Sequence, residues 1–258
     1  MKEAFSKEYG NLEHEHWWFR ARRVILRGLL ARHLKWTEGT RVLEIGVGPG
    51  ENLYTLYPDT AAITGVEPDP ANAAKADARG PIRVYCGTVE NLPPEVANTS
   101  YDVVCLFDVL EHIQDDEGGL RIIRRLLKPG GAIVLSVPCY RWMWGLQDVV
   151  SLHYRRYTRS ELVRKLQSAG LVVERATYFN TLLFPLIALF RLLAKLSKQE
   201  RKAGSDFDVS SRLIDRVMYT LFRAEWPVLA YMNFPFGVSC FALARLEAPK
   251  ASCDSPAL

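Results

Sequence analysis

A chain of 258 residues with 48% hydrophobic content can bury one large core, or one core plus a subdomain. Its 33 basic and 29 acidic residues leave a net charge of +4, too small an excess to point to nucleic acid without a focused basic face. The five cysteines (Cys86, Cys105, Cys139, Cys240, Cys253) are scattered without C-x-x-C spacing, which argues against a zinc or disulfide framework and for reduced thiols. No metal set is legible. The first residues are charged and lack an apolar core, and no stretch reaches the length of a spanning helix, so a cytoplasmic protein is expected.

In chain order, residues 13–34 have helical periodicity. Ile25, Leu26, Leu29, Leu30 and Leu34 share one stripe, and Arg20, Arg22, Arg23, Arg27 and Arg32 fall mostly off it. Trp17 and Trp18 are adjacent and cannot both face that stripe. RVLEIGVGPGENL (41–53) then reads as a buried parallel strand entering a glycine turn and a short helix. Glycines let the backbone take positive φ and lie close to a flat or charged ligand, while the helix start points unpaired N–H groups at the same spot. The pattern is G-x-G-x-G at Gly46, Gly48 and Gly50; a dinucleotide fingerprint would need glycine where Glu51 stands. About 20 residues on, the strand AAITGVEP (61–68) ends in Glu67, placed to accept from two ribose hydroxyls. Strands follow at 82–87, 101–109 and 132–138, with DVLEH at 108–112 and LKPGG at 127–131.

Together the glycine loop, the acid and these runs resemble the class I S-adenosylmethionine (SAM)-dependent methyltransferases of the type 11/12 branch. The resemblance covers residues 38–178 and returns in the last strand, 238–247. It implies an α/β, doubly wound, seven-stranded Rossmann-like sheet of order 3-2-1-4-5-7-6 with the last strand antiparallel. It also implies that Gly46, Gly48 and Gly50 approach the methionine moiety of SAM, that Glu44 orients its ammonium, and that Glu67 and Pro68 meet the ribose. Phe107 and Asp108 should face the amino-acid end, and Thr88 and Val89 the adenine. The family's usual aspartate at the adenine is replaced by Thr88, so a hydroxyl or a backbone carbonyl must serve there. In such enzymes an N-terminal helix covers the cofactor, which makes residues 1–37 a lid and Trp18 part of a substrate wall; the competing reading is a docking helix whose aromatics fill core.

After the fifth strand, residues 139–157 emerge where open parallel sheets build active sites. The loop carries Tyr140, Trp142, Trp144, Asp148, His153, Arg155, Arg156 and Tyr157. Its aspartate and H-x-R-R-Y run also match the resemblance. His153, Asp148 and Tyr157 are the catalytic candidates, with His153 as base or substrate hydrogen-bonding group. Tyr140, Trp142 and Trp144 would wall an acceptor, and Arg155 or Arg156 would bind an anionic group. Alternatively, Asp148 pairs with an arginine and fixes the loop. A capping box, Thr158 to Glu161, restarts the chain as helix.

Residues 180–237 stand between the strands 171–179 and 238–247, where a short turn is usual. They comprise an apolar segment (180–198), a basic cluster of Lys195, Lys198, Arg201 and Lys202, and an amphipathic helix (212–232). This helical insertion reads as a substrate-enclosing subdomain for a small apolar or lipid-linked acceptor. Peripheral membrane contact through 182–202, a dimer interface and a plain helical cap are the other readings. Residues 249–258 form a tail. The expected activity is in-line transfer of a methyl group from SAM to such an acceptor. An adenosyl-ligand-binding protein without methyl transfer and a nicotinamide-dependent oxidoreductase are the alternatives.

Overall fold

The computed structural model describes residues 13–196 and 211–248. Lys198, Arg201, Lys202, the tail 249–258 with Cys253, and the first part of the expected lid lie outside the described residues. Seven strands form one sheet: β1 (Arg41–Ile45), β2 (Ala62–Glu67), β3 (Arg83–Cys86), β4 (Tyr101–Phe107), β5 (Leu127–Pro138), β6 (Val172–Phe179) and β7 (Ser239–Arg245). Their order is β3-β2-β1-β4-β5-β7-β6, with β7 antiparallel to both neighbours and the other pairs parallel, as expected. The central strands are buried on both faces, which is why they read as unbroken apolar runs and not as alternating ones.

Nine helices are described: α1 (Trp17–His33), α2 (Pro70–Asp77), α3 (Pro94–Ala97), α4 (Asp116–Leu126), α5 (Leu146–Val150), α6 (Arg159–Ser168), α7 (Phe184–Leu196), α8 (Arg212–Arg223) and α9 (Trp226–Leu229). Side chains of α4 and α6, among them Leu120, Ile123, Leu162 and Leu166, cover one face of the sheet. The expected box from Thr158 to Glu161 opens α6, and Asp69 caps α2 through Ala71 N and Asn72 N. The other face is covered by Ile25, Leu26, Leu29 and Leu30 of α1 together with Phe222 of α8.

The insertion is tied to α1 at both ends. α1 has no acid in its first turn, and Asp215 of α8 supplies one: its Oδ1 accepts from the Trp17 N–H at 3.0 Å. Trp17 packs edge-on against Phe222 at 6.2 Å, and Phe222 stacks on Phe179 at 6.1 Å. A Cβ at Gly28 would stand 2.5 Å from the Trp226 ring, so glycine is what lets α9 close on α1. Residues 212–232 are two helices and not the single one expected. Pro227, with no N–H to donate and in the first turn of α9, breaks the run after Arg223. Among the described residues no helix is long and apolar enough to cross a membrane.

Three non-glycine residues shortly after strand carboxyl ends have left-handed backbone: Asp108 (φ 58°), Tyr140 (φ 62°) and Asn180 (φ 58°). Each such residue costs on the order of 1 kcal/mol or more, and such strain collects where side chains must be aimed. Because Phe222 is wholly buried between Trp17 and Phe179, Phe222→Ala should destabilise the protein by about 3–5 kcal/mol in urea denaturation. A loss below about 1 kcal/mol would show that α8 does not share the core of the sheet.

Candidate active site

At the carboxyl end of β1 the chain turns through Gly46 (φ 76°) and Gly48 (φ 55°). A side chain at Gly46 would run into Val109 beyond β4, so the turn fits only without one. Gly48 N–H donates to Glu67 Oε2 at 2.8 Å, and Asp69 N–H to Glu67 Oε1 at 3.1 Å. Burial raises the Glu67 carboxyl above its ordinary range despite these two donors. Glu67 thus lies against the glycine loop, each of its oxygens holding one backbone N–H. Glu44 lies beneath the loop, fully buried, accepting from Asn52 Nδ2 (2.9 Å) and Tyr57 Oη (2.6 Å). Burial pushes it up to about 7, against those two bonds. Both its oxygens are engaged within the protein, so Glu44 braces the loop from below.

The remaining cofactor candidates divide by what they expose. Val89 and Phe107 are buried in the two core clusters and offer only backbone to a ligand. Thr88 is exposed and closes a turn by accepting from Asn91 N–H at 3.2 Å; Pro68, directly after Glu67, is also exposed. Asp108 forms an ion pair with Arg22, whose side chain is only 4% exposed. Arg22, expected off the apolar stripe, is buried because Asp108 neutralises it from across the site. Trp18 covers the Arg22 guanidinium at 4.8 Å, which brings the expected wall residue to the site, while Trp17 fills core.

Just before α1, Glu13 lies on the glycine loop. Its Oε2 would be 3.5 Å from a Cβ at Gly48, and its backbone carbonyl accepts from Arg23 at 2.7 Å. Glu13 is buried, and Oε2 finds no hydrogen-bond partner among the described residues. Burial raises its carboxyl to about 7, against the opposing charges of Arg22 and Arg23.

The 139–157 loop is organised by Asp148. This carboxylate is fully buried and meets His153 Nδ1 at 2.8 Å, Arg156 at 2.7 and 3.0 Å, and Gly145 N–H at 2.8 Å. Burial alone would raise its carboxyl; the bonds from His153 and Arg156 outweigh that and hold it at about 2. An ionised Asp148 can only accept, so His153 Nδ1 carries a proton, and Nε2 is the ring atom left to exchange one. The His153 ring packs edge-on to His112 at 4.6 Å. His112 is held down to about 4 by burial and by His153. Glu111 beside it is fully buried, neither oxygen has a partner among the described residues, and burial together with Asp108 drives its carboxyl well up. Ligand atoms of Glu111, His112 and His153 lie within 4.8 Å of one another, a grouping that the sequence spacing did not disclose.

Besides Glu44, which braces the loop where it was expected to orient the ammonium, three expected roles change in the 139–157 loop. Tyr157 is buried, and its hydroxyl donates to Asp116 Oδ2 at 2.9 Å, so it braces the loop and does not face a substrate. Arg156 is spent on Asp148 and on the Cys139 carbonyl, and Arg155 on Asp116 and the Gln114 carbonyl. Neither is left over for an anionic substrate. Tyr140 belongs to an aromatic cluster: it stacks on Tyr178 (5.5 Å) and Trp142 (5.9 Å) and meets Phe184 of α7 at 5.5 Å. Arg191 of α7 fills the space beside Gly145, and Trp144 is half-buried nearby in the chain. A cleft of about 590 Å³, lined by Arg41, Tyr54, Tyr57, Asp59 and Tyr101 among others, opens at the amino ends of β1 and β4, the opposite end of the sheet from the glycine turn.

A family model described as a methyltransferase domain matches residues 17–176. The chain belongs to that family. That family lies within the class I SAM-dependent methyltransferases, whose cofactor is SAM. The chain spans about half to two thirds of the length of the curated relatives it matches. A Mycolicibacterium smegmatis protein named "Probable S-adenosylmethionine-dependent methyltransferase" is 31% identical over 63% of this chain and 62% of its own length. A Rhodopseudomonas palustris ubiquinone biosynthesis O-methyltransferase is 27% identical over 59% of this chain and 67% of its own. Among solved structures, a Haloferax volcanii complex of the Trm112 methyltransferase activator with a methyltransferase superposes with a TM-score of 0.61 at 18% identity, covering 95% of each chain. Family membership removes the oxidoreductase alternative.

The glycine turn and Glu67 fit SAM, since they set a close backbone approach beside a carboxylate that would accept from ribose hydroxyls. Glu67→Ala should therefore weaken SAM binding at least tenfold by calorimetric titration, the loss of about one charged hydrogen bond. Unchanged affinity would remove Glu67 from the site.

Proposed function

We propose that this methyltransferase acts on an amphiphilic acceptor, taking a hydroxyl-bearing head at His153 and an apolar tail along α7. Bound SAM supplies an electrophilic methyl group. The chain's own groups must then aim the acceptor oxygen at that methyl, take its proton and keep water out. His153 Nε2 is the proton acceptor, with Asp148 setting its tautomer and Arg156 and Gly145 holding Asp148. Trp18, Tyr140, Trp142 and Trp144 wall the head group, with residues 13–37 as the lid and 180–196 and 211–237 as the roof.

The observation that carries this reading is the apolar surface of the insertion. Leu182 just before α7 and Leu186, Leu189, Phe190 and Leu193 on it are all more than half exposed, and α7 begins at Phe184, which meets Tyr140. Soluble proteins rarely leave so much apolar area open without an occupant. A relative named for ubiquinone biosynthesis supports a lipid-like acceptor. The same face suits transient contact with the inner membrane surface, from which such an acceptor would be drawn. Gathering of Glu111, His112 and His153 supports a second reading, in which a divalent cation there binds the acceptor oxygen.

Methyl transfer from SAM should be at least tenfold more efficient, as kcat/KM, for phenols bearing a long alkyl tail than for the bare phenols. Leu189→Glu should abolish that preference. Equal efficiency for both acceptor classes would contradict the reading. His153→Ala should lower kcat about 10²-fold or more with SAM affinity nearly unchanged. Full activity would demote His153 to packing, and loss of wild-type activity with chelator would favour the cation.

A further inference from the structure

Glu13 has no part in the sheet, the core or the acceptor side, yet its carboxylate is driven into the one place where the backbone was cleared of side chains. From this geometry we infer that Glu13 is the residue that receives the ammonium group of the amino-acid end of SAM. The inference rests on the glycine loop being the SAM cradle. Three observations carry it. Glu13 is buried to 4% exposure, its Oε2 is without a hydrogen-bond partner among the described residues, and that oxygen points at Gly48 from a distance of 3.5 Å to the missing Cβ.

A buried carboxylate oxygen without a donor is costly, and native proteins rarely retain one without a use. The neighbouring charges do not supply that use. Arg22 is paired with Asp108, and Arg23 bonds the Glu13 backbone carbonyl. Glu44 and Glu51, across the loop, repel the Glu13 charge. An incoming cation with three N–H donors relieves all of this at once: it donates to Oε2, neutralises the carboxylate and offsets Glu44 and Glu51. Glu44, the acid closest in sequence to the loop, is less suited because Asn52 and Tyr57 occupy both of its oxygens. The carbonyl bond to Arg23 gives the segment a fixed anchor on α1, so the carboxylate is presented in one position.

The sign of the pH effect follows. With its carboxyl raised to about 7 by burial when no ammonium is present, Glu13 must release a proton before it can hold one. Affinity for ligands that carry the ammonium should fall as pH drops below about 7, by up to tenfold per unit. Glu44 and Glu67, also raised by burial, add slopes of their own, so the quantity to read is the difference between wild type and a Glu13 variant.

The test is a calorimetric cycle with S-adenosylhomocysteine and its deamino analogue against wild type, Glu13→Gln and Glu13→Asp, with thermal unfolding as the check on folding. Wild type should bind S-adenosylhomocysteine at least tenfold more tightly than the deamino analogue. Glu13→Gln should lose most of that ratio and flatten the slope below pH 7, and Glu13→Asp should keep part of both. A ratio unchanged in Glu13→Gln would overturn the inference. Equal weakening of both ligands would also overturn it, by making Glu13 a strap without a role at the ammonium. Wild type binding neither ligand would overturn the cradle itself.

Discussion

A carboxylate buried as completely as that of Asp148 stays ionised only because three donors reach it from different points of one loop. Gly145 N–H comes from before α5, His153 Nδ1 from its far side, and Arg156 from where the loop returns to β5. Removing any one donor leaves charge in a low-dielectric interior, which costs several kcal/mol. The anion therefore makes the loop's conformation cooperative and sets the tautomer of His153 in the same act. Arg156 reaches on to the Cys139 carbonyl and Tyr157 to Asp116 and the Leu110 carbonyl. The acceptor side is thus fixed to the ends of β4 and β5.

The cofactor side is built on the opposite principle. Its loop is held by backbone geometry, with Glu44 bonded beneath and Glu67 bonded above, and the charges around it are imperfectly matched. Glu13, Glu44 and Glu67 are all raised by burial. Such a site gains from a cationic ligand, and SAM carries both a sulfonium and an ammonium. The rigid half holds His153, the proposed proton acceptor, and the other half gathers carboxyl groups that a cationic ligand would offset. Arg22 joins them: from α1 it closes on Asp108, the strained residue at the end of β4 that lies between the two halves.

Much of this was legible in the chain. The glycine turn, the β-branched runs and the acid ending β2 are local patterns, and the sheet follows from them because each strand needs only its own residues to read as buried. The cap at Asp69 and the box at Thr158 and Glu161 are local for the same reason. Pairings between distant segments were not legible. Nothing near Arg22 in the sequence announces Asp108, so an arginine on α1 reads as solvated when it is buried. Arg155 and Arg156 look available for a substrate until Asp116 and Asp148 are brought beside them. The gathering of Glu111 and His112 with His153 likewise depends on the loop folding back over β4. The break after Arg223 was visible in Pro227, whose effect the strong amphipathic pattern of 212–232 masked.

The central claim is that a buried anion prepares His153 to take a proton. Long-range 1H–15N correlation of the imidazole of His153 in the SAM-bound protein at neutral pH tests it most directly. The account predicts a neutral ring protonated at Nδ1, with Nε2 carrying the chemical shift of a free lone pair. A ring protonated at Nε2, or an imidazolium at neutral pH, would contradict it.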